Sequence, residues 1–459
     1  MNVELTSRPS SGVALTGTFR SLFASRKGFP MDSGNVAWVL ASSALVCMMI
    51  PALALFYGGM VGSRRILNMM MMCFGGASLV AVLWAVFGYS MAFGNSVGGL
   101  GLIGDVTEFP GMGQLLAADE EASIPVILFA AFQLFFACVT TALVAGAAAG
   151  RMKFGAWMLF AGIWATIVYF PIAHWVFAFS SADGSVTGGW IASGIKAIDF
   201  AGGTAVHMNA GAAALALALV LGKSSGWPKV EHAKPHSRPL VLVGAGLLWV
   251  GWFGFNAGSA LSAGQSASVV LLNTAVAASA GLLAWALVER LRHGAATSMG
   301  AASGLISALV AITPACGSVS PLGAVAIGLI AGAVCSLAIE LKFRLGFDDS
   351  LDVVGVHLVG GILGTLLIGL FATDAAPNAV NGLFYGGGVE LLGVQALATV
   401  TVLVYSFGIT WILAKILDKT IGLRIKPEDE MRGIDLAAHS ELAYLTDEDP
   451  VELGSPQRG

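Results

Sequence analysis

Charge is what this chain has least of. Its 459 residues include only 23 Lys+Arg and 27 Asp+Glu, or 11%, where a soluble globular domain carries about 25%. A water-facing surface of the ordinary kind cannot be built from so few, which excludes a soluble enzyme and a disordered scaffold. The net charge of -4 supplies no basic field to draw in a nucleic acid. The five cysteines, Cys47, Cys73, Cys138, Cys316 and Cys335, lie too far apart for a metal knuckle or a stapled secreted fold; they read as small apolar filler. Residues 1–30 lack an apolar core segment, so they are no signal peptide of the usual form, and Met31 is an alternative start. What the chain does have is hydrocarbon: 56% of its residues are hydrophobic and the mean hydropathy is +0.82. It reads as an all-α integral membrane protein.

A bilayer core about 30 Å thick takes roughly 20 apolar residues per helix. On that ruler the uncharged stretches divide into eleven spans, near 36–61, 69–93, 124–149, 154–178, 201–222, 239–262, 266–288, 295–313, 321–342, 353–373 and 392–415. Twelve Lys and Arg fall in loops after odd-numbered spans, and Lys196 alone after an even one. Basic residues stay on the cytoplasmic side, which predicts the N-terminus outside and the C-terminus inside. Three regions follow: an extension over 1–35, a transmembrane domain over 36–418 and a cytoplasmic tail over 419–459. Within the domain, 36–222 and 239–373 form two five-span halves, with 392–418 as an eleventh helix. An odd number of spans per half inserts the second upside down, an arrangement found in transporters and channels.

Three of the seven histidines, His174, His207 and His357, sit inside apolar spans. An ionisable side chain in a membrane is costly and usually faces a cavity or a partner. For one such residue a hydrogen-bonded packing role competes with function; two at matching places in an inverted repeat favour function. At about 1.5 Å per residue, His207 lies roughly 12 Å below Asp199 and His357 roughly 7.5 Å above Asp352. Both approach the middle of the slab, with an axial gap left between them. His174 reads as structural. Asp199 and Asp352 have an ordinary role as helix caps, expected for Asp352, with an electrostatic role near a cation route left open for Asp199. Gly146 with Gly150, Gly254 with Gly258 and Gly360 with Gly364 have the four-residue spacing that lets membrane helices approach closely.

Several segments resemble the ammonium transporter family, the Amt/Mep/Rh group, and its bacterial Amt branch in particular. They are FYGG at 56–59, FQLFFACVT at 132–140, DFAGGTAVHMNAG at 199–211, GWFGFNAGSA at 251–260, TPACG at 313–317, DDSLDVVGVH at 348–357 and GLRIKPEDEMRGIDLAAHSELAY at 422–444. Their order and their placement on the spans carry the match. The resemblance implies an outer vestibule that recruits ammonium at Phe136, Trp164 and Ser259, a gate of Phe136 and Phe255, and a narrow apolar pore lined by His207 and His357. Trp252 would face the lumen and Thr313 would lie beside the pore, with Asp199 near the cation route.

The family likeness further implies a homotrimer in the cytoplasmic (inner) cell membrane, transport of ammonium or ammonia without a cofactor, metal or catalytic residue, and no nucleic acid. The tail from Lys419 has nine acidic and five basic residues, a solvated composition; yet 422–444 resembles the segment that packs beneath a neighbouring subunit and responds to a PII-type regulatory protein. Relatives often carry an acidic residue where this chain has Gly150, so their inner-surface salt bridge is not expected here. Other classes remain: a b-type haem subunit using the two imidazoles as axial ligands, a proton-coupled carrier of another amine, and an ammonium sensor that signals through its tail.

Overall fold

The computed structural model describes residues 31–117, 122–228 and 235–444. Residues 1–30, the loop positions Lys229, His232 and Lys234, and the end of the tail from 445 lie outside the described residues. Among the described residues there is no β-strand, only three isolated bridges. This is what a bilayer demands, since each backbone amide must be satisfied within its own segment.

Among the described residues, ten helices are long and apolar enough to cross a membrane. They are α1 (Ser33–Met60), α2 (Ile66–Phe93), α3 (Val126–Ala148), α4 (Phe154–Phe177), α5 (Gly203–Leu221), α6 (Arg238–Gly258), α7 (Gln265–His293), α9 (Pro321–Leu345), α10 (Val354–Phe371) and α11 (Glu390–Thr420). Between α7 and α9 lies α8 (Ser298–Ile312), apolar but only 15 residues long. That is about 22 Å of helix, less than the slab, and α8 is buried against its neighbours along most of its length. Two short helices follow, α12 (Pro427–Arg432) and α13 (Ile434–His439).

Small residues bring the helices together. Gly244, Gly251 and Gly258 recur every seventh position of α6, a spacing that keeps them on one face. A Cβ on them would come within 2.5 Å of Phe56 N, 2.4 Å of Met49 Cγ and 2.5 Å of Ser42 Cβ, all on α1. Gly364 of α10 has the carbonyl of Ala311 at 2.1 Å from where its Cβ would stand. The expected pair Gly146 and Gly150 does not form one surface. Gly146 packs under Val353 and Tyr57, but Gly150 lies beyond the end of α3 with φ +66, a left-handed turn that suits glycine.

One end of the bundle is closed by a buried ionic network. Arg151 is fully buried and donates to the carbonyls of Gly222 (2.7 Å) and Asp348 (3.0 Å) and to that of Ala147, with the Asp348 carboxylate at 3.4 Å. An ion pair is therefore present at this end without an acidic residue at 150: its acid comes from the α9–α10 turn. The tail is anchored on the same end, contrary to its solvated composition. Glu430 is buried, pairs with Arg424 at 2.9 Å and accepts from the Ser225 amide at 2.7 Å. Asp435 accepts from the amides of Leu67 (3.1 Å) and Asn68 (2.8 Å), capping α2.

The predicted cap of α10 is corrected. Asp352 has φ 58 and its carboxylate meets Lys342 Nζ at 2.5 Å. The cap is Asp349, which accepts from the amides of Val353 (3.0 Å) and Val354 (2.7 Å). A residue in a left-handed turn just ahead of the helix cannot fold its side chain back over the first amides, whereas one three places earlier can.

Two predictions follow from this end of the molecule. Arg151→Gln should lower the melting temperature in detergent by several degrees, because losing one partner of a buried pair costs about 3 kcal/mol or more; adding Asp348→Asn should restore part of the loss. Burial, and then the neighbouring Asp352, push the Asp349 carboxyl up to about 6, against Lys342 and the capping amides. A carboxyl whose folded-state pKa lies above its unfolded value of about 3.9 holds its proton more tightly when folded. Its stabilising contribution is full below the unfolded value and is lost as pH rises through the folded one. Melting temperature should thus fall between about pH 4 and pH 6, and Asp349→Asn should flatten that slope.

Candidate functional site

A recess of about 20 Å³ opens where α3 begins and α4 and α6 end, on the face opposite the ionic network. That is room for one species of water's size. Phe129, Phe136, Phe177, Phe179 and Phe200 supply its aromatic walls, and Gln133, Ser259 and Asp199 its polar groups. The Ser259 hydroxyl donates to the carbonyl of Phe255 at 2.8 Å, which leaves its oxygen as an acceptor. Aromatic faces, an acceptor and a carboxylate in one small cup suit a small cation with hydrogens to donate.

Asp199 is the floor of that recess and the anchor of α5. It accepts from the amides of Gly202 (2.8 Å), Gly203 (2.7 Å), Thr204 (2.8 Å) and Ala205 (3.2 Å), and from the Thr204 hydroxyl. Both oxygens are engaged, so the side chain is a cap whose charge is felt at the recess. Asp199 precedes His207 by eight positions, and Asp349 precedes His357 by the same eight. Each histidine then rides a π-helical turn, Gly203–Met208 and Val354–Leu358. Such turns occur often at functional sites.

Beyond the recess, aromatic rings and imidazoles are packed one against the next. The rings of Phe136 and Phe255 are stacked, with centroids 4.1 Å apart and planes at 29°. His207 follows, 5.9 Å from Phe255 and 5.3 Å from both Trp252 and His357. The Trp252 indole donates to Thr313 Oγ1 at 2.8 Å, and that hydroxyl donates to Leu309 O at 2.7 Å, so the indole is fixed against the side of the path.

The imidazoles of His207 and His357 meet through their Nδ1 atoms at 3.3 Å, closing the axial gap left by counting residues. The count took each aspartate as standing at a membrane face. Instead Asp199 lines the first recess, and Asp349, which caps α10 in place of Asp352, lines a second recess at the other end, so the distance to be bridged is shorter than the slab. Two neutral imidazoles bonded through Nδ1 must be unlike tautomers, one donating and one accepting. One Nε2 is then an acceptor and the other a donor. His207 Nε2 is buried without a protein partner.

Trp164 is not brought to the recess. It is fully buried and its indole donates to Thr410 Oγ1 at 2.9 Å, joining α4 to α11. It lies 13 positions before the end of α4, about 20 Å along the helix; Phe177, the last residue of α4, occupies the expected place. Axial counting along α4 would have found it. Gln133 and Phe200 also entered no expectation, although both lie in quoted motifs. His174, as expected, is a packing residue: it is buried, with Nδ1 at 3.1 Å from the carbonyl of Ala92.

Comparison with known proteins bears on the whole of this arrangement. The pattern described as Ammonium Transporter Family matches residues 37–444. An ammonium transporter of Mycobacterium tuberculosis is 54% identical over 438 residues, 90% of each chain. Among solved structures, Mep2 of Candida albicans superposes with a TM-score of 0.80 at 35% identity, covering 96% of this chain and 97% of that one. A structure entitled Sensor Amt Protein gives 0.80 at 28% identity, covering 88% and 98%. With the motifs, the helical bundle and relatives this similar over nearly their full length, the chain belongs to the ammonium transporter family.

Proposed function

We propose that this chain carries ammonium across the cytoplasmic membrane by taking the cation at the outer recess, stripping its proton and passing ammonia along His207 and His357. The observation that carries this reading is the sequence of recess, stacked phenylalanines and paired imidazoles along one buried path.

The chemistry follows from desolvation. Ammonium and potassium have similar size and charge, so dimensions discriminate poorly between them. A dry path penalises any species that enters charged and unpaired. Ammonium escapes that penalty by giving up a proton; potassium cannot. Phe136, Phe177 and Ser259 recruit the cation, with Asp199 favouring its charge from below, and the Phe136–Phe255 stack admits one small solute at a time. Ammonia then needs a hydrogen-bond donor and an acceptor, which unlike tautomers of His207 and His357 provide. An imidazole pair can also relay the proton. In this reading Trp252, held by Thr313, walls the path, and Trp164 braces α4 against α11. Because the two imidazoles touch through Nδ1 at 3.3 Å, no space is left between them for a haem iron and its porphyrin, which disfavours the haem reading.

The assembly we propose is a homotrimer with the N-terminus outside, the C-terminus inside and the recess facing out. Its anchored 422–444 segment would be the contact for a PII-type regulator, and a sensing role beside transport fits that anchoring.

Current recording on proteoliposomes under an ammonium gradient, with potassium as control, tests the pore. Replacing both His207 and His357 by Leu should cut selective flux about tenfold or more, a barrier of about 1.4 kcal/mol or more, or allow potassium through. Unchanged rate and selectivity in that variant would count decisively against the pore assignment. Phe177→Trp tests the recess: indole is the better cation-π face, so the half-saturating concentration for methylammonium should fall about twofold, equivalent to about 0.5 kcal/mol. No change, or a rise, would remove Phe177 from recruitment.

A further inference from the structure

A second, larger recess of about 360 Å³ opens between α5, α9 and α10, toward the end that carries the tail. Its walls are apolar, formed chiefly by Leu215, Leu219, Leu341, Leu345, Val354 and Leu358. Leu219, Leu341 and Leu345 are 48%, 41% and 71% exposed, yet they stand on segments apolar enough to lie in a membrane. The opening therefore faces lipid, and hydrocarbon is the medium that fills an apolar groove at that depth.

The rim is basic. The Lys223 ammonium lies 4.1 Å from the centroid of the Trp227 ring, and Trp227 stacks on Phe343 of α9 with centroids 6.3 Å apart. A Cβ on Gly346 would come 3.7 Å from the same ammonium, which places Lys223 at the end of α9, beside the opening. Arg344 is exposed on that last turn. The other charges there are matched: Lys342 by Asp352 at 2.5 Å, Glu340 by Arg292 at 2.6 Å, and Asp349 by the amides it caps. Among the described residues no carboxylate forms an ion pair with Lys223 or Arg344.

We propose that this recess is a binding site for an anionic phospholipid, with an acyl chain between α5, α9 and α10 and the phosphate held by Lys223 and Arg344. Trp227 and Phe343 stand at headgroup level, where aromatic rings favour the interface. The inner wall includes Gly355 and Leu358, on the π-helical turn that carries His357. Lipid in the recess thus fills the space behind that turn and supports it. The inference does not depend on what the pore conducts.

Native mass spectrometry of the full chain in detergent, titrated with dioleoyl phosphatidylglycerol or dioleoyl phosphatidylcholine, tests it. The wild type should bind phosphatidylglycerol more tightly. Lys223→Gln with Arg344→Gln keeps the groove and removes the charge; at roughly fivefold per basic residue, about 1 kcal/mol each, the preference should drop roughly 25-fold. Leu219→Trp fills the groove and should remove one bound lipid of either kind. Equal binding of the two lipids by the wild type, or an undiminished preference in the double variant, overturns the proposal. A change in subunit number with Leu219→Trp overturns it too, since another copy of the chain would then be the occupant. Should Leu219→Trp not fold, the double variant decides alone.

Discussion

The structure depends on two carboxylates, half-buried Asp199 and buried Asp349, that hold the starts of two membrane helices. Asp199 binds the first amides of α5 and Asp349 those of α10. A helix start left bare in so apolar an interior would leave amides unpaired, each at a cost of kilocalories. With the carboxylates in place, both helices begin at the bottom of recesses instead of at the membrane surface. The π turns that follow aim His207 and His357 at each other, and the 3.3 Å contact between them comes from opposite directions along the chain.

The surroundings of this pair bury it and fix its position. The glycine face of α6 lies directly on α1, which draws Trp252 and Phe255 close to His207. Thr313 spends its hydroxyl on Trp252 and its own helix. At the tail end, Arg151 collects carbonyls from α3, the end of α5 and the α9–α10 turn. A buried ion of this kind contributes little net stability by itself. Its geometric effect is larger: it ties the turn bearing Asp348 and Asp349 to the rest of the bundle, so the cap of α10 has a defined position. The tail joins the same network through Glu430 and Asp435, giving the cytosolic segment of the proposed topology a mechanical connection to the ends of α2 and α5.

Much of this was legible beforehand. Uncharged runs located the helices to within a few residues at most ends, because hydrocarbon thickness sets helix length. The exceptions run past the slab: α7 continues to His293 and α11 to Thr420, where polar residues no longer mark an end. Family motifs named both histidines, Phe136, Phe255, Trp252 and Ser259. Trp164 was misplaced because an aromatic was sought by type without its depth being counted, and Asp352 because proximity in sequence was taken for reach. The tail's acidic composition suggested solvation, but two of its carboxylates are buried against amides and arginine, an outcome that composition cannot foresee.

By itself, the sequence established that the chain lives in a membrane, that it is helical, and that two histidines lie in its apolar interior, each preceded by an aspartate. Those are matters of solvation and local hydrogen bonding, which each segment settles on its own. Only the tertiary structure decided that the imidazoles touch, that Phe177 and not Trp164 faces the recess, and that Asp349 and not Asp352 caps α10. These depend on how deep each helix sits and which way each turn points, and such quantities arise from the packing of segments distant in the chain.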